Sequence, residues 1–213
     1  MRAGFGGVNR YEALEGYSNS ELIIETTRRS EILLSQLRVQ SKMMSDLLEK
    51  VNEKNEQLQY LPAIQPIEND DLTHTAAGFG QRMHPIYRSK RLHNGMDFAA
   101  PVGTPVRATG NGVVAETKKT GAQGIRVVID HGHGYKTVYA HLNGYTVNVG
   151  QKVNRGKIIG TVGNTGMSTA PHLHYEVHKN GKPVNPIHYF FNELSPADFA
   201  RIRDLSNLGR TFD

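Results

Sequence analysis

The spacing of apolar residues changes character partway along the chain. Between Ser18 and Tyr60 they recur at helical intervals; beyond residue 77 they fall in short runs that alternate with polar positions and are broken by glycine. Ser18-Asn19-Ser20-Glu21 has the form of a capping box, a hydroxyl for a free backbone N–H and a glutamate three residues on to reach back, and it predicts a helix start. From there to about Tyr60 no Gly or Pro intervenes. Leu33, Leu37, Met44, Leu47, Val51 and Leu58 fall at alternating three- and four-residue steps, with Gln40 and Lys54 filling the gaps in the register. That is the a/d seam of a long amphipathic helix. Such a seam needs a cover, and two readings stand side by side: an arm over residues 18–60 that forms a homodimer or takes a regulatory partner, and a helix folded back on its own domain.

Leu61-Pro62-Ala63-Ile64-Gln65-Pro66-Ile67 cannot continue a helix at its prolines and reads as an extended linker at a domain boundary. Beyond it, β-prone runs flank turn signals. Val106-Arg107-Ala108-Thr109 and Val113-Val114-Ala115 enclose Gly110-Asn111-Gly112, and Ile125-Arg126-Val127-Val128-Ile129 and Thr137-Val138-Tyr139-Ala140 enclose Asp130-His131-Gly132-His133-Gly134; each set predicts a hairpin. A strand is expected from Lys157 to Val162 and another from His172 to His178, the latter closed by Asn180-Gly181, a type I′ turn pair. The tail starts a helix at Ser195-Pro196-Ala197-Asp198, with Phe199, Ile202 and Leu205 as its apolar stripe and Gly209 as its stop. The expected fold class is mainly antiparallel β, with a long N-terminal amphipathic helix and a short C-terminal helix.

Composition then narrows the chemistry. The chain has 213 residues and no cysteine, which removes disulfides, thiolate zinc sites and thiol nucleophiles together. A formal charge of +5 suits an anionic partner such as nucleic acid, a membrane surface or a cell-wall polymer, although on charge alone a modest solubilising excess is the default reading; no Lys/Arg run is interleaved with aromatics, so nucleic acid is not an expected partner. No apolar run approaches the ~20 residues of a membrane span. The start Met1-Arg2-Ala3-Gly4-Phe5-Gly6-Gly7 lacks the hydrophobic region of a signal peptide; a chain trimmed of its targeting segment or membrane anchor would begin the same way.

All ten histidines lie between His74 and His188, and without thiolates any metal must be held by His, Asp or Glu. In Pro171-His172-Leu173-His174-Tyr175-Glu176-Val177 strand alternation puts His172 and His174 on one face. His93-Asn94-Gly95-Met96-Asp97 pairs an imidazole with a carboxylate four residues apart, in a turn rather than a helix because of Gly95. His93, Asp97 and His174 make a His₂Asp set, with His141 at the end of a predicted strand, and three N/O ligands with an open fourth position are what zinc-assisted hydrolysis needs. Glu176 shares the face of the two histidines, where it can orient one of them by a hydrogen bond, although a plain surface carboxylate is its default reading. His74, His84, His131, His133, His178 and His188 fall in turns, in the linker or near strand ends, where exposure or an ordinary hydrogen bond is their expected state.

Gly78-Phe79-Gly80-Gln81-Arg82, His93-Asn94-Gly95-Met96-Asp97, Tyr139-Ala140-His141-Leu142 and the His172–Val177 run together resemble, in this order, the M23 (lysostaphin/LytM-type) zinc metallopeptidases that cut peptidoglycan peptides. The resemblance implies a lysostaphin/LytM-like sheet domain over 78–188, preceded by a leader and helical arm over 1–60 and a Pro-containing linker over 61–77, and followed by a helical tail over 189–213. It also implies Zn²⁺ held by His93, Asp97 and His174, with His141 and His172 as catalytic histidines and Arg82 shaping the groove or holding substrate. The activity implied is endopeptidase cleavage of peptidoglycan cross-links, in the periplasm or at the cell envelope. A non-catalytic wall-binding regulator or scaffold, acting through the helical arm, is the competing expectation.

Overall fold

The computed structural model describes residues 16, 18–69, 72–83, 89–191 and 194–207. Most of the leader, His84 and Gly209 lie outside the described residues. The chain divides into two compact units, Met1–Asn55 and Glu56–Asp213.

Helix α1 spans Ser20–Tyr60 and buries none of its residues. Ile23 N–H closes on the Asn19 carbonyl at 3.1 Å, so the cap falls one residue beyond Ser18. The seam residues Leu33, Leu37, Met44, Leu47 and Val51 are exposed. No basic residue lies in the last turn. Arg155 supplies donors there instead, its Nη2 reaching the carbonyls of Leu58 and, at 3.2 Å, of Leu61.

The second unit carries β1 (Thr75–Ala77), β2 (Gly80–Met83), β3 (Lys90–His93), β4 (Met96–Ala99), β5 (Pro105–Arg107), β6 (Gly112–Thr120), β7 (Gly124–Gly132), β8 (Tyr135–Tyr145), β9 (Lys152–Val153), β10 (Ile158–Val162), β11 (His172–Lys179) and β12 (Lys182–Val184), then α2 (Pro196–Asn207). Ten strands form one sheet, ordered β1-β4-β11-β8-β7-β6-β9, with β10 against β8 and β5, and β12 against β11; β2 and β3 form a separate hairpin. The pairings are antiparallel, as expected.

Local turn chemistry accounts for two of the hairpins. Asn180 and Gly181 take φ of 51° and 77°, the type I′ geometry that returns β11 into β12, and His133 and Gly134 at 50° and 78° do the same between β7 and β8. The expected hairpin around Gly110-Asn111-Gly112 does not form: β5 pairs with β10, and β6 pairs with β7 and β9. The chain leaving α1 takes the backbone groups that hairpin would have used, with Ala63 N–H on the Thr109 carbonyl at 3.0 Å and Asn111 N–H on the Gln59 carbonyl at 2.9 Å. Gly110 permits this approach, since a Cβ there would stand 2.7 Å from the Leu61 carbonyl oxygen. The prolines keep the stretch after α1 extended, and it is packed: Pro62, Ala63, Pro66 and Ile67 are buried.

The core lies on one face of the sheet, where Phe98, Tyr139, Leu142, Ile159, Leu173, Tyr175 and Val177 meet Phe190 and Ile202. Burying a large apolar side chain contributes about 1.5–3 kcal/mol, enough for these positions to hold the strands in register while their other face carries polar groups. Helix α2 begins as expected, with Ser195 Oγ accepting the Asp198 N–H at 3.2 Å and donating to its carboxylate at 2.6 Å. It buries Ile202 and packs Phe199 and Leu205 along the edge of the core.

Candidate metal centre

On β11, Leu173, Tyr175 and Val177 enter the core, so His172, His174 and Glu176 occupy the other face. His174 stands directly across from Asp97 of β4 on one side and from Ala140 of β8 on the other. The register therefore delivers a carboxylate beside an imidazole. His93 arrives at the end of β3, and the turn from it to Asp97 presses against β11 because position 95 is glycine: a Cβ there would stand 2.4 Å from the Tyr175 carbonyl oxygen and 3.0 Å from His174 Nε2.

His93 Nε2, His174 Nδ1 and Asp97 Oδ1 are each 3.0 Å from the other two, and all three residues are buried. The second ring nitrogens fix what these atoms are. His93 Nδ1 lies 2.7 Å from the Gly78 carbonyl, which can only accept, so Nδ1 carries the proton and Nε2 the lone pair. His174 Nε2 donates to Glu176 at 3.0 Å, which leaves Nδ1 as a lone pair. With both rings neutral, three acceptor atoms converge, a buried arrangement suited to a cation. Tetrahedral zinc with bonds of about 2.0–2.2 Å sets its ligand atoms about 3.3–3.6 Å apart; the observed triangle has that N/O donor set and needs to open by only a few tenths of an ångström to reach that size. The oxygen of Asp97 outside the triangle accepts from Arg82 Nη2 at 3.0 Å.

His141 comes from an irregularity in its strand. The expected strand Thr137–Ala140 continues to Tyr145, and regular alternation would place His141 on the core side with Tyr139. Between the pairs Ile125↔Leu142 and Val127↔Tyr139, β8 holds one residue more than β7, and His141 takes φ of 59°. This bulge brings the His141 ring to 4.6 Å from that of His172 and 6.0 Å from that of His174. His141 Nδ1 donates to the Thr165 carbonyl at 2.7 Å and His172 Nδ1 to the Ala170 carbonyl at 2.8 Å, so the chemistry of each ring falls to Nε2.

The five expected metal and catalytic residues are therefore brought together. Arg82 joins them through Asp97 and also lines the adjoining cleft of about 240 Å³, with Arg91, Asn94, Gln123, His141, Met167 and His174 among its other walls. Glu176 is not a surface carboxylate. It is buried and accepts from His174 at 3.0 Å, from Gln123 at 3.1 Å and from His178 at 2.5 Å. Burial pushes its carboxyl up, but the hydrogen bonds from His174 and His178 outweigh this and hold it at about 2. Gln123 and Thr165 carried no signal in the sequence, because their roles depend on loops that meet only in the fold. Of the other histidines, His74 donates from Nδ1 to the Ala99 carbonyl of β4 at 2.7 Å, His133 is exposed, and His131 is buried on hydrogen bonds of its own.

Peptidase family M23 matches residues 91–186, a span that contains the triangle and both catalytic candidates. The chain is 51% identical over 105 residues to the peptidoglycan DD-endopeptidase ShyA of Vibrio cholerae, covering 49% of this chain and 24% of that protein. It is similar to a solved zinc-containing peptidase from Vibrio cholerae at 40% identity and TM-score 0.51, over 56% of this chain and 37% of that one. It is also similar to the catalytic domain of lysostaphin from Staphylococcus simulans at 32% identity and TM-score 0.50, over 58% of this chain and 98% of that domain. The chain spans less than a third of the length of the curated relatives it matches. A lysostaphin domain covered almost end to end, and a family match that brackets all three residues of the triangle, leave one assignment: the chain belongs to peptidase family M23.

Proposed function

We propose that the protein is a zinc-dependent endopeptidase that hydrolyses peptide cross-links of bacterial peptidoglycan. The observation that carries this reading is the buried triangle of three lone-pair atoms on His93, Asp97 and His174, with two further imidazoles beside it. Zinc, when bound, supplies Lewis-acid polarisation of the scissile carbonyl and acidifies water.

The chain's own residues do the rest. His93, Asp97 and His174 hold the metal, and Arg82 keeps Asp97 turned toward it by occupying the second carboxylate oxygen. His141 and His172 each present a basic Nε2, because a main-chain carbonyl holds the proton on Nδ1. The ring that starts with a free Nε2 takes the proton of the attacking water and passes it to the leaving amine, and the other donates to the developing oxyanion as an imidazolium, protonated at Nε2 as well as at Nδ1. The cleft walls offer the guanidinium groups of Arg82 and Arg91 to a substrate that carries carboxylates. The relatives' names support peptidoglycan as that substrate, and a wall polymer as substrate is the reason for reading the work as periplasmic or at the cell envelope.

Incubation of the purified chain with peptidoglycan tests the proposal. New peptide ends should appear with zinc and vanish with chelator, and mass spectrometry of the products separates endopeptidase from carboxypeptidase or amidase cleavage. Absence of new ends from zinc-loaded protein would favour the wall-binding regulator instead.

For α1 we infer that a second copy of the chain covers the seam. All six apolar seam positions are exposed along a helix that buries nothing, and their three-and-four spacing is that of a coiled coil. Sedimentation equilibrium should give a dimer that Leu47→Glu converts to monomer; a monomeric parent chain would point to a different partner.

A further inference from the structure

Four histidines make up the imidazole wall, and in three of them a main-chain carbonyl fixes which nitrogen is protonated: Gly78 for His93, Thr165 for His141 and Ala170 for His172. His174 differs. Its Nε2–H is held by the carboxylate of Glu176, a side chain that must itself be held.

Gln123, in the turn between β6 and β7, does this. Its Nε2 donates to the same Glu176 oxygen at 3.1 Å. An amide can be turned either way, and with its oxygen toward Glu176 two acceptors would oppose each other. Arg126 settles the choice, since a guanidinium has only donors: Nη1 donates to Gln123 Oε1 at 2.7 Å, so the Gln123 NH₂ faces Glu176. Arg126 is held in turn by Glu116 across the β6–β7 pair, at 2.7 Å from Nε and 2.6 Å from Nη2. The main chain of Gln123 contributes separately, its carbonyl accepting the N–H of the bulged His141 at 2.9 Å. The turn is locked on the loop that orients the His141 ring, because Ile125 N–H donates to Thr165 Oγ1 at 3.0 Å.

We propose that Gln123 is a positioning residue for the metal centre, aiming His174 Nδ1 through Glu176 and seating His141 through its own carbonyl, with Arg126 and Glu116 setting the polarity of the relay. Partners outside the ligand set fix the tautomer and direction of a metal-binding imidazole, and their loss typically weakens metal affinity by about 10–100-fold. This inference rests on the zinc reading of the preceding subsection.

Zinc affinity, measured by competition with a chromophoric chelator on the full chain, tests it without recourse to activity. Glu176→Gln should weaken zinc by about 10–100-fold. Gln123→Met, which keeps the volume and removes both side-chain hydrogen bonds, should weaken it by about 3–10-fold, and Arg126→Met should move it in the same direction although Arg126 touches no ligand. The double variant should be no weaker than the worse single one, since both cut one relay. Circular dichroism and thermal melts identify any variant that loses its fold, and partly exposed Arg126 carries the test if Gln123→Met does. Folded Gln123→Met and Arg126→Met proteins that bind zinc within about twofold of the parent would overturn the relay while leaving the zinc reading intact. A parent chain that takes up no zinc would overturn the zinc reading, and the relay with it.

Discussion

His174 and Tyr175 are neighbours on β11, and the polar groups they bury on the two faces of the sheet are organised in opposite ways. Behind Tyr175 every group has a complementary partner. Tyr175 Oη donates to Thr109 Oγ1 at 2.9 Å, Thr109 meets Tyr139 Oη at 2.9 Å, Tyr139 meets Thr137 at 3.1 Å, and Thr137 meets His131 Nε2 at 2.8 Å. The chain ends where His131 Nδ1 donates to the Asn111 carbonyl at 2.7 Å. In front of His174, with both rings neutral, three acceptor atoms are aimed at one point. Both clusters contain a buried histidine, so burial alone does not separate a site from a structural network. The balance of donors and acceptors does: a closed network stabilises the sheet, and converging acceptors call for an ion.

The comparison can be broken at either face, and the largest effect is expected in front. His174→Ala should abolish zinc retention and wall cleavage together, read by metal analysis of the dialysed protein and by digestion of purified peptidoglycan. His141→Ala and His172→Ala should keep zinc while turnover falls by about 10²–10⁴-fold, the usual worth of a positioned acid or base; loss of the metal in either variant would move that histidine into the ligand set. Behind the sheet, Thr137→Val leaves buried His131 Nε2 and Tyr139 Oη short of a partner. Urea unfolding should register a loss of about 1–3 kcal/mol, with zinc stoichiometry unchanged.

The smallest effect concerns acid. Burial, the largest influence, holds the His131 imidazole below its ordinary 6.5. The unfolded chain therefore takes up a proton here before the folded one does, and stability falls as pH drops below about 6.5 toward the folded value. In zinc-free protein His131→Gln should flatten this limb of the stability profile. An unchanged slope would mean that other groups account for it.

How much could be read beforehand differs from residue to residue. The β11 face, the Asn180-Gly181 turn and the Ser195 cap were legible because each depends on residues within a few positions of one another. Arg82 was readable as part of a motif, but its hold on Asp97 was not, since a hairpin separate from the main sheet delivers it. For Glu176 alternation gave the face and not the depth, so orienting a histidine and lying on the surface both stayed open until the fold buried it against His174. The hairpin at Gly110-Asn111-Gly112 was misread because turn residues say nothing of a distant segment that competes for the same backbone groups.

The sequence by itself determined the period of each segment, and with it a long helix, an antiparallel sheet, and His172 and His174 on one wall. Local sterics and the two-residue repeat of a strand are properties of neighbouring residues, so they survive without the fold. Only the tertiary structure decided that His141 joins that wall, because the bulge that turns it depends on the register of β7 against β8. It alone decided that the gap between His93 and Asp97 closes, because Gly95 is needed only where β11 passes. A metal site of this kind is a meeting of strands far apart in the chain, and their register is set by the core packed behind them.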